Sequence, residues 1–174
     1  MLSKNILYST SWRTWKAMLD PKTCLTCRKL NGKIYDTDEV PVPNPPIHEN
    51  GRCIIDRLEA KRAGLATKKG IEGADWQLKF HGELPEYYIT VEEAKEMGWQ
   101  PKLGDLAFKC PDKMIFGGIY NNDNGHLPSA EGRIWYEADI NYIRGYRGMD
   151  RILFSNDGLI FVTYDHYHTF YEIV

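Results

Sequence analysis

Between Gly132 and Phe170 the chain reads GRIWYEADINYIRGYRGMDRILFSNDGLIFVTYDHYHTF. Within that stretch stand Glu137, a carboxylate amid apolar alternation, and Arg147 and Arg151, four residues apart. His166 follows, between two strand-like runs. One carboxylate, one histidine and two fixed cations are the parts needed to move a phosphoryl group. Glutamate can take a proton, histidine can give one, and guanidinium forks hold the charged oxygens between them. Taken singly, each has a plainer reading. Glu137 would be an exposed strand carboxylate, His166 a turn histidine, and the arginines partners of Asp139 and Asp150.

A second chemistry lies near the start. Cys24 and Cys27 form a Cys-x-x-Cys pair, and His48 and Cys53 follow after a proline-rich loop, Val40 to Pro46. Two cysteines in a tight knuckle and a later His/Cys pair are what tetrahedral zinc requires, each pair supplying one edge. A proline-rich loop builds no core of its own, so a structural zinc would staple it. The plainer reading is reduced cysteines packed as small hydrophobes, with His48 exposed. A redox role for the pair lacks the surrounding βαβ pattern.

At 174 residues the chain has room for one domain or two small ones and for a real core. Hydrophobic residues at 43% and aromatics at 13% mark it as globular. A net charge of -2 gives no overall field for nucleic acid. The charge is uneven, however. Residues 1–65 hold 11 of the 22 Lys and Arg but 7 of the 24 Asp and Glu, so the remainder is acidic and any RNA must meet a local basic patch. Residues 1–18 contain no apolar run long enough for a signal peptide or membrane span. No membrane partner or general secretion is expected, and the site of action reads as cytoplasmic.

The elements that must position these residues follow in order. Residues 8–18 alternate as a strand, broken by Asp20-Pro21. Residues 54–69 read as a short basic helix fraying into a linker at Gly64 and Gly70, where a boundary divides residues 1–65 from 66–174. Residues 71–81 form an amphipathic helix. Thr90-Val-Glu-Glu93 is a capping box opening a helix that stops at Gly98. Lys113–Tyr120 is an apolar strand, and alternation returns in Arg133–Tyr142. Asp150–Ser155, the turn Asn156-Asp157-Gly158 and Leu159–Tyr164 spell a hairpin, with a last strand over Thr169–Val174. Helices first and strands afterwards predict an α+β fold, N-terminal helices packed on a twisted antiparallel sheet, behind a small Cys/His segment.

Residues from about 70 to 174 resemble the barnase-type microbial ribonucleases. The matching pieces include Leu84-Pro85, Tyr88-Ile-Thr90, Gly98-Trp99, Leu127-Pro128, Gly132-Arg133, Trp135, Glu137 to Tyr142, Arg147, Asp150 to Leu153, and Asp165-His166-Tyr167, in one frame. The resemblance implies an endoribonuclease that needs no cofactor for catalysis. The ribose 2′-hydroxyl attacks phosphorus and leaves a cyclic phosphate, with Glu137 as general base, His166 as general acid, and Arg147 and Arg151 on the phosphorane. It also implies substrate contacts from Tyr120, Asn121, Asn122, Asp123, Asn124 and Tyr167, and an acidic barstar-like inhibitor as partner. Asp139 falls to structure, holding the arginines. The first segment resembles the C-terminal region of Mu F-like phage minor head proteins, through Thr23-Cys24-Leu-Thr-Cys27, Leu30-Asn-Gly32, Pro45-Pro46-Ile-His48 and Arg52-Cys53, with Gly51 where that family has a further cysteine. A nuclease behind a capsid-type segment implies a polymorphic toxin of phage origin.

Three departures from the ribonuclease pattern bear on turnover and base choice. Val91 stands where the family carries a phosphate-binding lysine, with Lys95 one turn on as a substitute. Asp123 and Asn124 replace the arginine and glutamate of the base-recognition loop. The alternative reading is therefore a catalytically impaired module that binds RNA or serves structure.

Overall fold

The computed structural model describes residues 6–174. Met1 to Asn5, which the N-terminal segment and the reading of an absent signal peptide include, lie outside the described residues. Among the described residues nine strands form one sheet. They are β1 (Leu7–Lys16), β2 (Ile34–Asp36), β3 (Ile54–Lys61), β4 (Tyr88–Thr90), β5 (Met114–Tyr120), β6 (Trp135–Asp139), β7 (Arg151–Ser155), β8 (Ile160–Thr163) and β9 (Tyr171–Ile173). Their spatial order is β2-β1-β3-β9-β8-β7-β6-β5-β4. Four short helices accompany them: α1 (Leu25–Leu30), α2 (Ala74–His81), α3 (Val91–Glu96) and α4 (Leu106–Lys109).

The α+β class holds, but three parts of the expected arrangement are corrected. The chain opens with strands, not helices, and the sheet is larger than a helices-then-sheet order suggests. It is also not wholly antiparallel, since β3 pairs with β9 and β4 with β5 in parallel. Residues 54–61, expected as a basic helix, are strand β3, paired with β1 on one side and β9 on the other. Leu58 and Ala60, two apart, are its buried positions, a strand period. The intervening charges hid that period.

The later elements form as expected. Thr90 caps α3 with a reciprocal box, its hydroxyl accepting from the Glu93 N–H and the Glu93 carboxylate accepting from the Thr90 N–H. β7 and β8 pair as the predicted hairpin. Alternation sends their side chains, with those of β6, to opposite faces. On one face Ala138, Ile152 and Val162 meet Ala74 and Leu78 of α2. On the other, Trp135, Leu153 and Phe161 pack with Trp12, Ile34 and Leu58, so the first strands share a core with the later ones. The stretch around Gly64 is pinned, because the buried Asp75 accepts from the N–H groups of Gly64 (2.7 Å) and Ala66 (2.9 Å) and from the Thr67 hydroxyl (2.8 Å).

Candidate active site

Because β6 alternates, Trp135, Glu137 and Asp139 share one face of the sheet. Glu137 stands opposite Leu153 and Asp139 opposite Arg151 on β7. On the other flank, β5 and β6 slip register between Phe116 and Gly118, a bulge that sets Gly117 under the Glu137 side chain. A Cβ on Gly117 would come within 2.8 Å of Glu137 Oε1 and 2.9 Å of its Cγ. Glycine is thus what lets the carboxylate lie flat against the neighbouring strand.

His166 and Tyr167 come from the turn after β8, and both have positive φ, 56° and 69°. Two consecutive non-glycine residues in the left-handed region need outside support. Asp165 provides it. Its Oδ1 accepts from the Thr163 hydroxyl (2.9 Å) and the Thr169 N–H (2.9 Å), and its Oδ2 accepts from the Thr169 hydroxyl (2.7 Å). Burial pushes the Asp165 carboxyl up, but these bonds outweigh it and hold the pKa below its ordinary value. Tyr167 is fixed in turn by its N–H to Thr163 Oγ1 (3.0 Å), by a ring stacked on Tyr120 with centroids 5.0 Å apart, and by its hydroxyl, which donates to Glu137 Oε2. Burial, then the Glu137 charge, raises the Tyr167 pKa far above the usual phenol value, so the hydroxyl stays a donor. The same two causes push Tyr120 up to about 12.

A cleft of about 780 Å³ runs over these groups. Its lining includes Tyr120, Asn121, Asn122, Asp123, Asn124, Glu137, His166 and Tyr167, which is every substrate-contact residue expected from the sequence together with the carboxylate and the histidine. Asn122 serves the loop itself, with φ 52°, its amide donating to the Leu127 carbonyl (2.9 Å) and accepting from the Leu127 N–H (3.0 Å). Asn124 Oδ1 already accepts from the His126 N–H (3.0 Å).

The two arginines do not line this cleft but stand behind it, gathered on Asp139. Arg147 grips that carboxylate with Nε at 2.6 Å and Nη2 at 2.7 Å. Arg151 Nε lies 3.1 Å from Asp139 Oδ1, an ion contact outside hydrogen-bonding angle, while its Nη1 donates to the carbonyls of Gly148 and Asp150. Val91 is half-buried against the cluster around Ala94 and Trp99 rather than at the cleft, and Lys95 is exposed in the last turn of α3.

Sequence reasoning missed five lining residues, Arg28, Lys29, Ile119, His126 and His168. The first two reach the cleft from α1, more distant in sequence than any spacing rule can bridge. At the Cys/His segment, the sulfurs of Cys24 and Cys27 and a ring nitrogen of His48 lie within 4.8 Å of one another. Cys53 is there too, but joined to Cys27 in a disulfide rather than standing as a separate thiolate.

The sequence profile of the ribonuclease family matches residues 73–174. A ribonuclease of Bacillus intermedius is 47% identical over 135 residues, covering 78% of this chain and 82% of that protein. One of Heyndrickxia coagulans is 47% identical over 100 residues, 58% of this chain and 91% of the relative. A third, from Bacillus pumilus, is 47% identical over 110 residues, 63% and 67% respectively. With a carboxylate, a histidine and a polar loop facing one cleft on the matched sheet, the chain belongs to the barnase-type ribonuclease family and is an endoribonuclease.

Proposed function

We propose that the cleft cleaves RNA by transesterification, with Glu137 as base and His166 as acid. The observation that supports this most is that both side chains line one cleft beside the Asn121–Asn124 loop. Glu137 takes the proton of the ribose 2′-hydroxyl as its oxygen attacks the adjacent phosphorus. His166 gives a proton to the departing 5′-oxygen, and a 2′,3′-cyclic phosphate remains. Each transfer is worth about 10²–10⁴-fold. Arg147 and Arg151, held behind the cleft on Asp139, add positive potential that favours the charge developing on the phosphorane. Tyr120 and Tyr167 offer a stacked aromatic platform to the bases. Cleavage of a fluorogenic RNA, undiminished by chelators and lowered at least about 10²-fold in Glu137→Ala and in His166→Ala, is the expected result. Full activity in the His166 variant would remove the assigned acid.

The Cys24, Cys27, His48 and Cys53 cluster is, in the reduced chain, a structural zinc site. The donor atoms of Cys24, Cys27 and His48 already lie within 4.8 Å of one another, and Cys53, bonded to Cys27, would supply the fourth ligand once reduced. The Cys27–Cys53 disulfide and the metal exclude each other, so reductant sets which is present. Metal analysis of reduced protein should give about one zinc per chain, lost in Cys24→Ser. Zinc-free reduced protein would leave only the disulfide.

The biological setting we propose is a ribonuclease toxin behind a phage-head-like segment, residues 1–65, matched to a dedicated inhibitor. That inhibitor covers the face carrying Arg147, Arg151 and His166 and presents acidic groups to it. Unhindered expression of active protein with no neighbouring gene would count against it.

A further inference from the structure

The residues that should supply positive charge to RNA beside the cleaved bond are depleted here. Val91 is apolar, Asp123 is acidic, and Arg147 and Arg151 are gathered on Asp139. The cleft nevertheless has two exposed cations on its rim, Arg28 and Lys29, both from α1. They are carried on a rigid seat. The Lys29 carbonyl bonds His126 Nε2 at 2.7 Å, and the Ile34 N–H donates to the His126 carbonyl at 2.8 Å, which fastens the segment to the end of the Asn121–Asn124 loop. At Gly32 (φ 86°) a Cβ would fall 1.8 Å from the His168 carbonyl oxygen, so the same segment rests directly on the turn that carries His166. Arg28 is held by its Nε to the Thr23 carbonyl (2.9 Å) and its Nη2 to the Asp20 carbonyl, neutral acceptors that leave its charge uncompensated.

We propose that Arg28 and Lys29 form a phosphate subsite for the RNA strand on the 5′ side of the cleaved nucleotide. The side follows from position. They flank the loop that receives the 5′ base, so the next phosphate they can reach is the one preceding that nucleotide. Two cations there restore the local attraction that Val91 and Asp123 remove, and they make the first segment part of the enzyme's substrate site. The proposal rests on the cleft being the RNA site described above.

The test compares kcat/KM for GpA, ApGpA and GpApA in the full chain, in Lys29→Gln and in Arg28→Gln/Lys29→Gln. Lys29→Gln leaves the backbone carbonyl that holds His126 in place, and thermal melting of both variants checks their folding. The unmodified protein should favour ApGpA over GpA by roughly fivefold to tenfold, the scale of one charge-assisted contact at a surface. That advantage should fall at least by half in Lys29→Gln and vanish in the double variant, while the ratio of GpApA to GpA stays the same. Its logarithmic salt slope should be about 0.7 for the one phosphate. No advantage for ApGpA, an advantage surviving the double variant, or an equal loss on all three substrates would overturn the subsite. Binding of the same oligonucleotides with 2′-deoxyguanosine is measured in parallel. A 5′ preference in binding that depends on Arg28 and Lys29, in protein that cleaves nothing, would uphold the subsite and reject the assigned catalysis; no such preference would reject the subsite whatever the cleavage.

Discussion

Replacing Asp139 by alanine tests the electrostatic seat behind the cleft. The Asp139 side chain is only 2% exposed and meets Arg147 (27% exposed) and Arg151 (8% exposed). Alanine removes both Arg147 hydrogen bonds and the 3.1 Å contact of Arg151, leaving two guanidinium groups facing each other across a vacated site. Breaking a buried pair from one side costs about 3–5 kcal/mol, because the remaining charge is neither solvated nor paired. Arg147 can turn toward water, so the lower part of that range applies, about 3 kcal/mol. Against a total stability of about 5–15 kcal/mol this is a large share, and it should lower Tm by about 10 °C. Urea unfolding of both proteins gives the difference directly, and cleavage well below the variant's Tm shows whether the arginines have moved. We expect a further drop in turnover of about 10²-fold, the usual penalty for groups displaced by an ångström. A loss of stability under about 1 kcal/mol would refute the reasoning, since it would mean the arginines find equivalent acceptors without Asp139.

Three other outcomes follow. Gly117→Ala places a methyl against Glu137, at 2.8 Å from Oε1, and should lower kcat by at least tenfold while leaving substrate KM nearly unchanged in protein that melts as a folded chain; an undiminished kcat would refute the packing role. Base choice should be broad among purines, because Asn124 offers one acceptor oxygen, already bonded to His126 N–H, where the family has a carboxylate. Asn124→Glu should raise the guanine-to-adenine ratio, and strict guanine selectivity in the unmodified protein would show that the loop backbone alone sets it. Burial, and after it the Lys33 charge, lowers the His126 pKa from 6.5 despite the bond to the Lys29 carbonyl. Below about 6.5 the unfolded chain therefore binds the extra proton, and stability should fall as pH drops from there toward the folded value. That slope should flatten in His126→Gln, and an unchanged slope would assign it to other groups.

The local signals in the sequence were reliable where one short rule governs an element. The Thr90/Glu93 box, the turn at Asn156-Asp157-Gly158 and the alternation through β6 are such cases. Reading failed where charge pattern and period disagreed, as in β3, whose Asp56, Arg57, Glu59 and Lys61 suggested a basic helix although Leu58 and Ala60 keep a strand period. The gathering of Tyr120, the Asn121–Asn124 loop, Glu137, His166 and Tyr167 in one cleft was legible through the family pattern, which carries long-range geometry that spacing does not. The contribution of Arg28, Lys29 and Gly32 was not legible. It depends on β3 pairing with β9 and on Ile34 meeting His126, contacts between residues far apart in the chain. The Gly117 bulge escaped for a similar reason, since a glycine next to Gly118 in an apolar run looks like a weak strand until its partner is known.

The most direct test of the assigned chemistry is product analysis on a single dinucleotide, GpA, with purified protein in the presence of chelator. The two-residue mechanism predicts guanosine 2′,3′-cyclic phosphate and adenosine as the first products, formed at least about 10²-fold more slowly by Glu137→Ala and by His166→Ala. Formation of a linear phosphate without the cyclic intermediate, or full rates in both variants, would contradict it.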